Sequence, residues 1–197
     1  EGPDGIDVAV DTAGNLYVAE YGNSRIQKRD EQGNWSVIAS AGSAPGQVSG
    51  PQALVVDTAG NLYVAEAGNR WLQKRDAQGN WSVVSTHDQR LSPSALAVDG
   101  AGNLYVSVYF GNNGLVERRD PQGNWSVLAA VVPHRDCNES GSCWSLPTQV
   151  SLAADIAGNL YVAGDFARIE KRNAKGNWSV IAGFGASAVA VDGSGNL

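Results

Sequence analysis

One six-residue phrase recurs through this chain: Asp-x-x-Gly-Asn followed by Leu or Trp. It occurs nine times, and the two forms alternate without exception. The Leu form runs from Asp11 to Leu16, Asp57 to Leu62, Asp99 to Leu104, Asp155 to Leu160 and Asp192 to Leu197. The Trp form runs from Asp30 to Trp35, Asp76 to Trp81, Asp120 to Trp125 and, with Asn in place of Asp, Asn173 to Trp178. Asp favours the start of a type I turn, because its carboxylate accepts a backbone N–H two residues on. Gly three residues later supplies the positive φ that closes the turn with a bulge. Apolar residues flank the phrase, Val8-Ala9-Val10 before and Leu16-Tyr17-Val18 after, so each copy reads as a β-hairpin turn. Calcium is the rival use of such Asp and Asn residues, but it takes about 6–8 oxygens and the phrase supplies one carboxylate and one amide.

Two hairpins per period make a four-stranded antiparallel meander. The first repeat predicts strands at Ile6–Val10, Leu16–Glu20, Arg25–Arg29 and Trp35–Ser40. Successive Leu phrases lie 46, 42, 56 and 37 residues apart. Such periods, with four strands in each, predict an all-β protein, a β-propeller in which only neighbouring blades cover one another's apolar faces. The blades fall at 5–40, 51–86, 93–130 and 149–182, a fifth begins at 187, and the whole of 1–197 is one propeller segment. Three residues before each Leu-form Asp stand Val8, Leu54, Leu96, Leu152 and Val189. Two before it stand Ala9, Val55, Ala97, Ala153 and Ala190, small enough for an innermost strand. The Tyr of each Leu-Tyr-Val run reads as core with one hydroxyl partner. If four blades closed a ring, the sound inner strand at 188–191 would be left as an unpaired apolar edge. The expectation is therefore that further blades or a partner chain complete the ring.

The chain carries 14 basic and 20 acidic residues, a net −6, with 24 Gly, no Met and three Phe. This is the composition of a turn-rich, all-β chain. No apolar run reaches the ~18–20 residues of a membrane span, and the acidic balance argues against nucleic acid as a partner. With no initiator Met or signal peptide at its start, the sequence is expected to be a mature form or part of a longer product. Cys137 and Cys143 share one polar loop, where a disulfide is favoured over a metal site because only His134 lies nearby as a further ligand. A disulfide implies an extracellular or periplasmic location.

The run Gly5-Ile6, Val8-Ala9-Val10-Asp11, Ala13-Gly14-Asn15-Leu16-Tyr17-Val18-Ala19-Glu20, Gly22-Asn23 and Arg25-Ile26-Gln27 resembles the NHL-repeat β-propellers, and the likeness extends over all four blades. The resemblance implies a ring of about six blades or more. It is less informative about function, since that family includes lyases, receptor sensor domains, protein-binding hubs and RNA binders. The amidating lyases of the family use a set of histidines around a metal. This chain has only His87 and His134, on separate links, so no catalytic residue, cofactor or metal is assigned.

One departure from the family is a basic ladder, Lys28-Arg29, Lys74-Arg75, Arg118-Arg119 and Lys171-Arg172. Its structural reading places each Arg across the hairpin from a Trp, Arg29 with Trp35, Arg75 with Trp81, Arg119 with Trp125 and Arg172 with Trp178, as a cation–π pair. An anionic partner is the functional rival. Glu20 with Arg25, Glu66 with Arg70 and Asp165 with Arg168 read as ion pairs, lost together in the third blade where Val108 and Leu115 stand. Four sequons at Asn34, Asn80, Asn124 and Asn177 read as incidental to turn geometry, and Asn138 in the cysteine loop is the best glycosylation candidate.

All nine phrases fall at one end of the blades. The other end carries the variable turns and links, where binding usually sits. The candidate contact residues there are Asp7, Tyr21, Asn23, Asn69, Tyr109, Phe110, Asn112, Trp144 and Phe166. Asp7 stands out because its inner-strand column otherwise reads Ala53, Ala95, Ser151 and Ala188, so it is expected to face the central channel. The function expected is a non-catalytic extracytoplasmic binding or assembly module whose loop face takes a protein or glycan. The alternatives are a metal-dependent lyase or lactonase at the channel, and a structural subunit of an extracellular assembly.

Overall fold

The computed structural model describes residues 6–84, 92–110, 113–131, 135–137, 143–145, 150–164, 168–183, 186, 188–192 and 195–197. The first sheet contains β1 (Ile6–Val10), β2 (Leu16–Glu20), β3 (Arg25–Arg29), β4 (Trp35–Ala41) and the short β5 (Gln47–Val48), in that order. The second is β6 (Pro51–Val56), β7 (Leu62–Glu66), β8 (Trp71–Arg75) and β9 (Trp81–Val84). The third is β10 (Ser92–Val98), β11 (Leu104–Phe110), β12 (Asn113–Arg119) and β13 (Trp125–Val131). A two-stranded sheet of β14 (Arg135–Cys137) and β15 (Cys143–Ser145) follows. The last is β16 (Ser151–Ala154), β17 (Leu160–Gly164), β18 (Arg168–Arg172) and β19 (Trp178–Ala182). The chain separates into two compact units, Glu1–Val98 and Asp99–Leu197. These are the expected four-stranded antiparallel sheets of an all-β protein.

The hairpin turns form as the phrase predicts. Asp11 N–H donates to Asn15 O at 3.1 Å and Gly14 N–H to Asp11 O at 3.0 Å, and the other eight copies repeat both bonds. This is a type I turn closed by a glycine bulge, and Gly14 takes φ of 82°. In the Trp form the glycine has a second duty. A Cβ on Gly33 would lie 3.1 Å from the Arg29 guanidinium, and the same crowding recurs at Gly79, Gly123 and Gly176.

Because both strands leave each turn in a set register, the repeat columns become cross-strand pairs. Tyr17 lies opposite Lys28, Tyr63 opposite Lys74, Tyr105 opposite Arg118 and Tyr161 opposite Lys171. The Arg–Trp pairs are also in register, from Arg29↔Trp35 to Arg172↔Trp178. The outermost hairpin carries a register shift in the first, third and fourth sheets, which strengthens the local twist.

In the first unit Leu54 on β6 packs with Tyr17, Ala19, Ile26 and Val48, so the inner strand of the second sheet closes the core of the first. Partly buried Trp81 packs against the same cluster.

Three features differ from the sequence reading. The link at 40–50 contains β5, which runs parallel to β4. The cysteine loop contains a small hairpin in which Cys137 and Cys143 are register partners. Residues 188–192 carry no strand assignment, although the Asp192 turn closes normally.

The third sheet provides a test of the hydroxyl bond. Tyr105 donates its hydroxyl to Asp99 at 3.0 Å, and both residues are buried. Tyr105→Phe is expected to destabilise by about 1.5–3 kcal/mol, the usual worth of a hydrogen bond to a charged group. Tyr17→Phe, whose Asp11 is only half-buried, should cost less. Urea unfolding midpoints of the two variants measure the difference.

Candidate functional site

Each sheet has two ends with different chemistry. At the phrase end, each Leu-form Asp is caged by its own hairpin. Asp11 Oδ1 accepts N–H bonds from Ala13 and Asn15 at 3.0 and 2.9 Å. Its Oδ2 accepts the Asn15 amide at 2.7 Å and the Tyr17 hydroxyl at 3.1 Å. The same four donors surround Asp57, Asp99 and Asp155. Burial pushes the Asp11 and Asp155 carboxyls up, but the donated bonds outweigh it and hold both below the usual range. The same cage pushes Tyr17 and Tyr105 up to about 12, through burial and the adjacent carboxylate. A carboxylate already accepting four hydrogen bonds has little left to offer calcium. Among the described residues no group of three His, Cys, Asp or Glu side chains is placed to hold a metal.

The basic ladder divides in two. Lys28, Lys74 and Lys171 place their ammonium groups 5.6, 5.7 and 5.0 Å from the ring centroids of Tyr17, Tyr63 and Tyr161. The arginines lie over the turn glycines of the Trp phrases. So the ring partner of the ladder is a Tyr beneath the Lys, a pairing the sequence analysis missed. Its signal was present in the Leu-Tyr-Val and Lys-Arg columns, which the turn length sets opposite each other. In the second unit a cavity of about 370 Å³ opens at this end, lined by Asp155, Asn159, Tyr161, Lys171 and Gly195 among others.

At the opposite end the sheets differ from one another. Glu20 Oε1 accepts the Arg25 Nε–H at 2.7 Å and a bond from Gln27, while Oε2 accepts the Asn23 amide. The Arg25 bond and the two amides hold Glu20 down at about 2. In the second sheet Glu66 is fully buried. Its Oε1 accepts Trp71 Nε1–H at 2.8 Å and the Gln73 amide at 2.7 Å. Its Oε2 accepts Ser49 N–H at 2.9 Å and the Asn69 amide at 2.7 Å. Burial raises Glu66, against the pull of these donors. The network also ties down the 42–50 link, since Asn69 reaches Gly42 O at 2.9 Å and Gln73 Oε1 accepts Gly46 N–H at 2.9 Å.

These contacts correct one of the expected ion pairs. Glu20–Arg25 forms, but Glu66 faces Trp71 in register and takes neutral donors. Arg70 aligns with Ser24, and both take positive φ in the turn, at 57° and 45°. Arg168 pairs with Glu170 at 2.9 Å, and Asp165 lies outside the described residues. Glu117 and Glu170 stand on the third strand of their sheets, opposite Val106 and Val162.

The candidate contact residues fare differently. Asn23 and Asn69 spend their amides on Glu20 and Glu66. Asp7 Oδ2 accepts Leu54 N–H at 2.7 Å, so it bonds the next inner strand, and burial raises its pKa despite that bond. Tyr21 is 43% exposed, with its ring edge against Gly50. Tyr109 and Phe110 end β11, Tyr109 half-buried. Trp144 lies on β15 with its side chain outside the described set, as are the Cys137 and Cys143 side chains. Asn112, Phe166, Asn138, His87 and His134 lie outside the described residues altogether.

A family model, the NHL repeat, matches residues 6–28. No curated protein matches the chain. Solved structures do. Virginiamycin B lyase from Staphylococcus aureus is similar at 12% identity and TM-score 0.57, over 92% of this chain and 71% of the lyase. A streptogramin B lyase is similar at 13% identity and TM-score 0.58, over 95% of this chain and 73% of that one. The extracellular domain of a candidate one-component system from B. thetaiotaomicron is similar at 13% identity and TM-score 0.61, over 92% of this chain and 22% of that one. At such identities the likeness concerns the fold.

The two glutamates predict opposite pH behaviour. Glu20 titrates at about 2 when folded against 4.5 unperturbed, so its stabilisation is complete above pH 4.5 and is lost as pH falls toward 2. Glu66 is raised, so its contribution is complete below pH 4.5 and declines as pH rises through its folded pKa. Glu20→Gln should therefore flatten the acid limb of a pH–stability profile measured by denaturant titration. Glu66→Gln should lower stability across the profile, because an amide NH₂ would meet two of the four donors. The matched NHL repeat, the repeated four-stranded antiparallel sheets and the shared architecture of the lyases make this chain an all-β protein of β-propeller fold, consistent with the NHL-repeat β-propeller family.

Proposed function

We propose that this chain is a non-catalytic binding or assembly module of the extracytoplasmic space, which presents the turn-and-link end of its sheets to a protein or glycan. The observation that carries the reading is the contrast between the two ends. At the phrase end, four hairpins repeat one closed set of hydrogen bonds around an Asp, leaving little for recognition. At the other end the sheets have diverged around rigid cages, and an aromatic stands out of the first turn, Tyr21 beside the 42–50 link. A rigid scaffold bearing dissimilar loops is the usual basis of selective binding. Asn23 and Asn69 belong to the cages that hold those loops, and act as positioning residues. Asp7 acts likewise, holding the next inner strand.

Support for the location comes from the cysteine hairpin. Register partners in an antiparallel pair have Cα atoms about 4.5 or 5.5 Å apart, and both fall within disulfide range. We expect Cys137 and Cys143 to be bridged, so that intact mass shows no thiol alkylated before reduction and two after. Two alkylated thiols without reductant would remove this support.

The lyase reading rests on likeness of fold, and the four caged aspartates offer no base. Incubation with virginiamycin B, followed by mass spectrometry, should show the compound unchanged, and turnover would overturn the non-catalytic reading. On a glycan array, Tyr21→Ala should weaken any saturable binding at least about tenfold, roughly 1.4 kcal/mol. Trp35→Ala, at the phrase end of an outer strand, should leave it unchanged. The opposite pattern would move the binding face.

A further inference from the structure

Four copies of Asn-Trp-Ser follow the turn glycines of the Trp phrases, at Asn34, Asn80, Asn124 and Asn177. Each is an acceptor sequence for an N-linked glycan. All four asparagines are exposed, as is the Ser two residues on, so access does not separate them. Their side-chain amides do. Asn34 donates its amide to Asp30 Oδ2 at 3.0 Å, and Asn80 and Asn124 donate theirs to Asp76 and Asp120 Oδ2 at 2.9 Å. The nitrogen that would carry the sugar is thus committed to a carboxylate in three of the four repeats.

The fourth repeat departs from this at one position. Asn173 stands where the others have Asp. Its Oδ1 accepts the Lys175 and Asn177 N–H groups at 3.0 and 2.9 Å, which fixes the orientation of the side chain. The other end of that side chain is then an NH₂, a donor that cannot accept from a second amide. Among the described residues nothing accepts the Asn177 amide. The turn itself is unaltered. Asn173 N–H still donates to Asn177 O at 2.9 Å and Gly176 N–H to Asn173 O at 2.8 Å. Exchange of one carboxylate oxygen for NH₂ therefore frees the Asn177 amide without changing the backbone that presents it.

We propose that Asn177 is an N-glycosylation site taking an oligosaccharide from a polyprenyl pyrophosphate donor, and that Asn34, Asn80 and Asn124 are held back in the folded chain by their aspartates. In the transfer, Asn177 Nδ2 attacks the anomeric carbon of the sugar. A C–N bond forms as the carbon–oxygen bond to pyrophosphate breaks. The polyprenyl pyrophosphate leaves with that electron pair, and one amide proton passes to a base of the transferase. An amide nitrogen shares its lone pair with the carbonyl, as in a peptide bond, so it must rotate out of conjugation to react. A charge-assisted hydrogen bond to Asp opposes that rotation, and Asn177 has none to break. Such a glycan needs the extracytoplasmic location proposed above, on which this site therefore rests, whereas transfer in vitro can fail with that location intact. It would stand at the phrase end of its sheet and leave the loop end open.

The test uses the folded 197-residue chain, a purified single-subunit oligosaccharyltransferase of the eukaryotic type and a polyprenyl-pyrophosphate oligosaccharide. Peptide mapping by mass spectrometry reads each sequon separately. Asn177 should be modified about tenfold faster than Asn34, Asn80 or Asn124, the discrimination expected of one hydrogen bond to a charged group. Asn173→Asp restores the carboxylate and should slow Asn177 to the level of the other three. Asp120→Asn copies the fourth repeat into the third and should raise Asn124 to the level of Asn177. Both variants leave every sequon intact, and a thermal melt shows that they fold. Absence of glycan on Asn177 would overturn the proposal. So would equal rates at the four sequons, or rates unmoved by both substitutions.

Discussion

Everything in these sheets hangs on one carboxylate and the four donors around it. In a Leu-form hairpin the Asp accepts two backbone N–H groups from its own turn, the amide of the Asn four residues on and the hydroxyl of the Tyr six residues on. The first two bonds shape the turn. The third locks Asn in place, and the fourth couples the turn to the middle of the next strand. Burying a carboxylate is costly unless such partners are present. Asp99 and Asp155 are nearly fully buried, so a hairpin in any other register would leave a charge unsatisfied in the interior. This penalty, more than strand propensity, makes the register unique.

The Trp-form hairpins use a weaker version of the same device. Asp30, Asp76 and Asp120 accept the backbone N–H and side-chain amide of the Asn four residues on, have Ser where the Leu form has its Tyr, and lie nearer the surface. Asn173 does the backbone part with a neutral oxygen. Replacement of Asp is thus tolerated where no Tyr hydroxyl needs an acceptor, and the Arg laid over the turn glycine supplies further contact. Alternation of Leu and Trp forms is alternation of a buried inner turn with an exposed outer one.

At the opposite end the same physics gives divergence. Glu20 keeps a cationic partner and is held low, whereas Glu66 in the same column has four neutral donors and full burial. The difference follows from what covers each. Glu66 is roofed by the 42–50 link, whose Ser49 N–H replaces the charge of Arg25. The same column thus has different energetics according to what packs on it.

The hairpins were legible from sequence because their causes are local. Asp, Gly and Asn act within five residues, so the bounds of β1 to β3 follow from the phrase itself. Leu-Tyr-Val alternation likewise marked the buried second strand. Contacts that span repeats were not legible. Asp7 read as a channel group, and only packing shows it accepting Leu54 N–H 47 residues away. Asn23 and Asn69 read as free polar contacts, a miss within one turn, since each amide meets a carboxylate three residues away. Glu66 read as the partner of Arg70, until the turn placed Trp71 opposite it. The partners of Asp7 and Glu66 depend on which backbone amides a following strand or link leaves unpaired, Leu54 N–H for the one and Ser49 N–H for the other, information held in no single stretch of sequence.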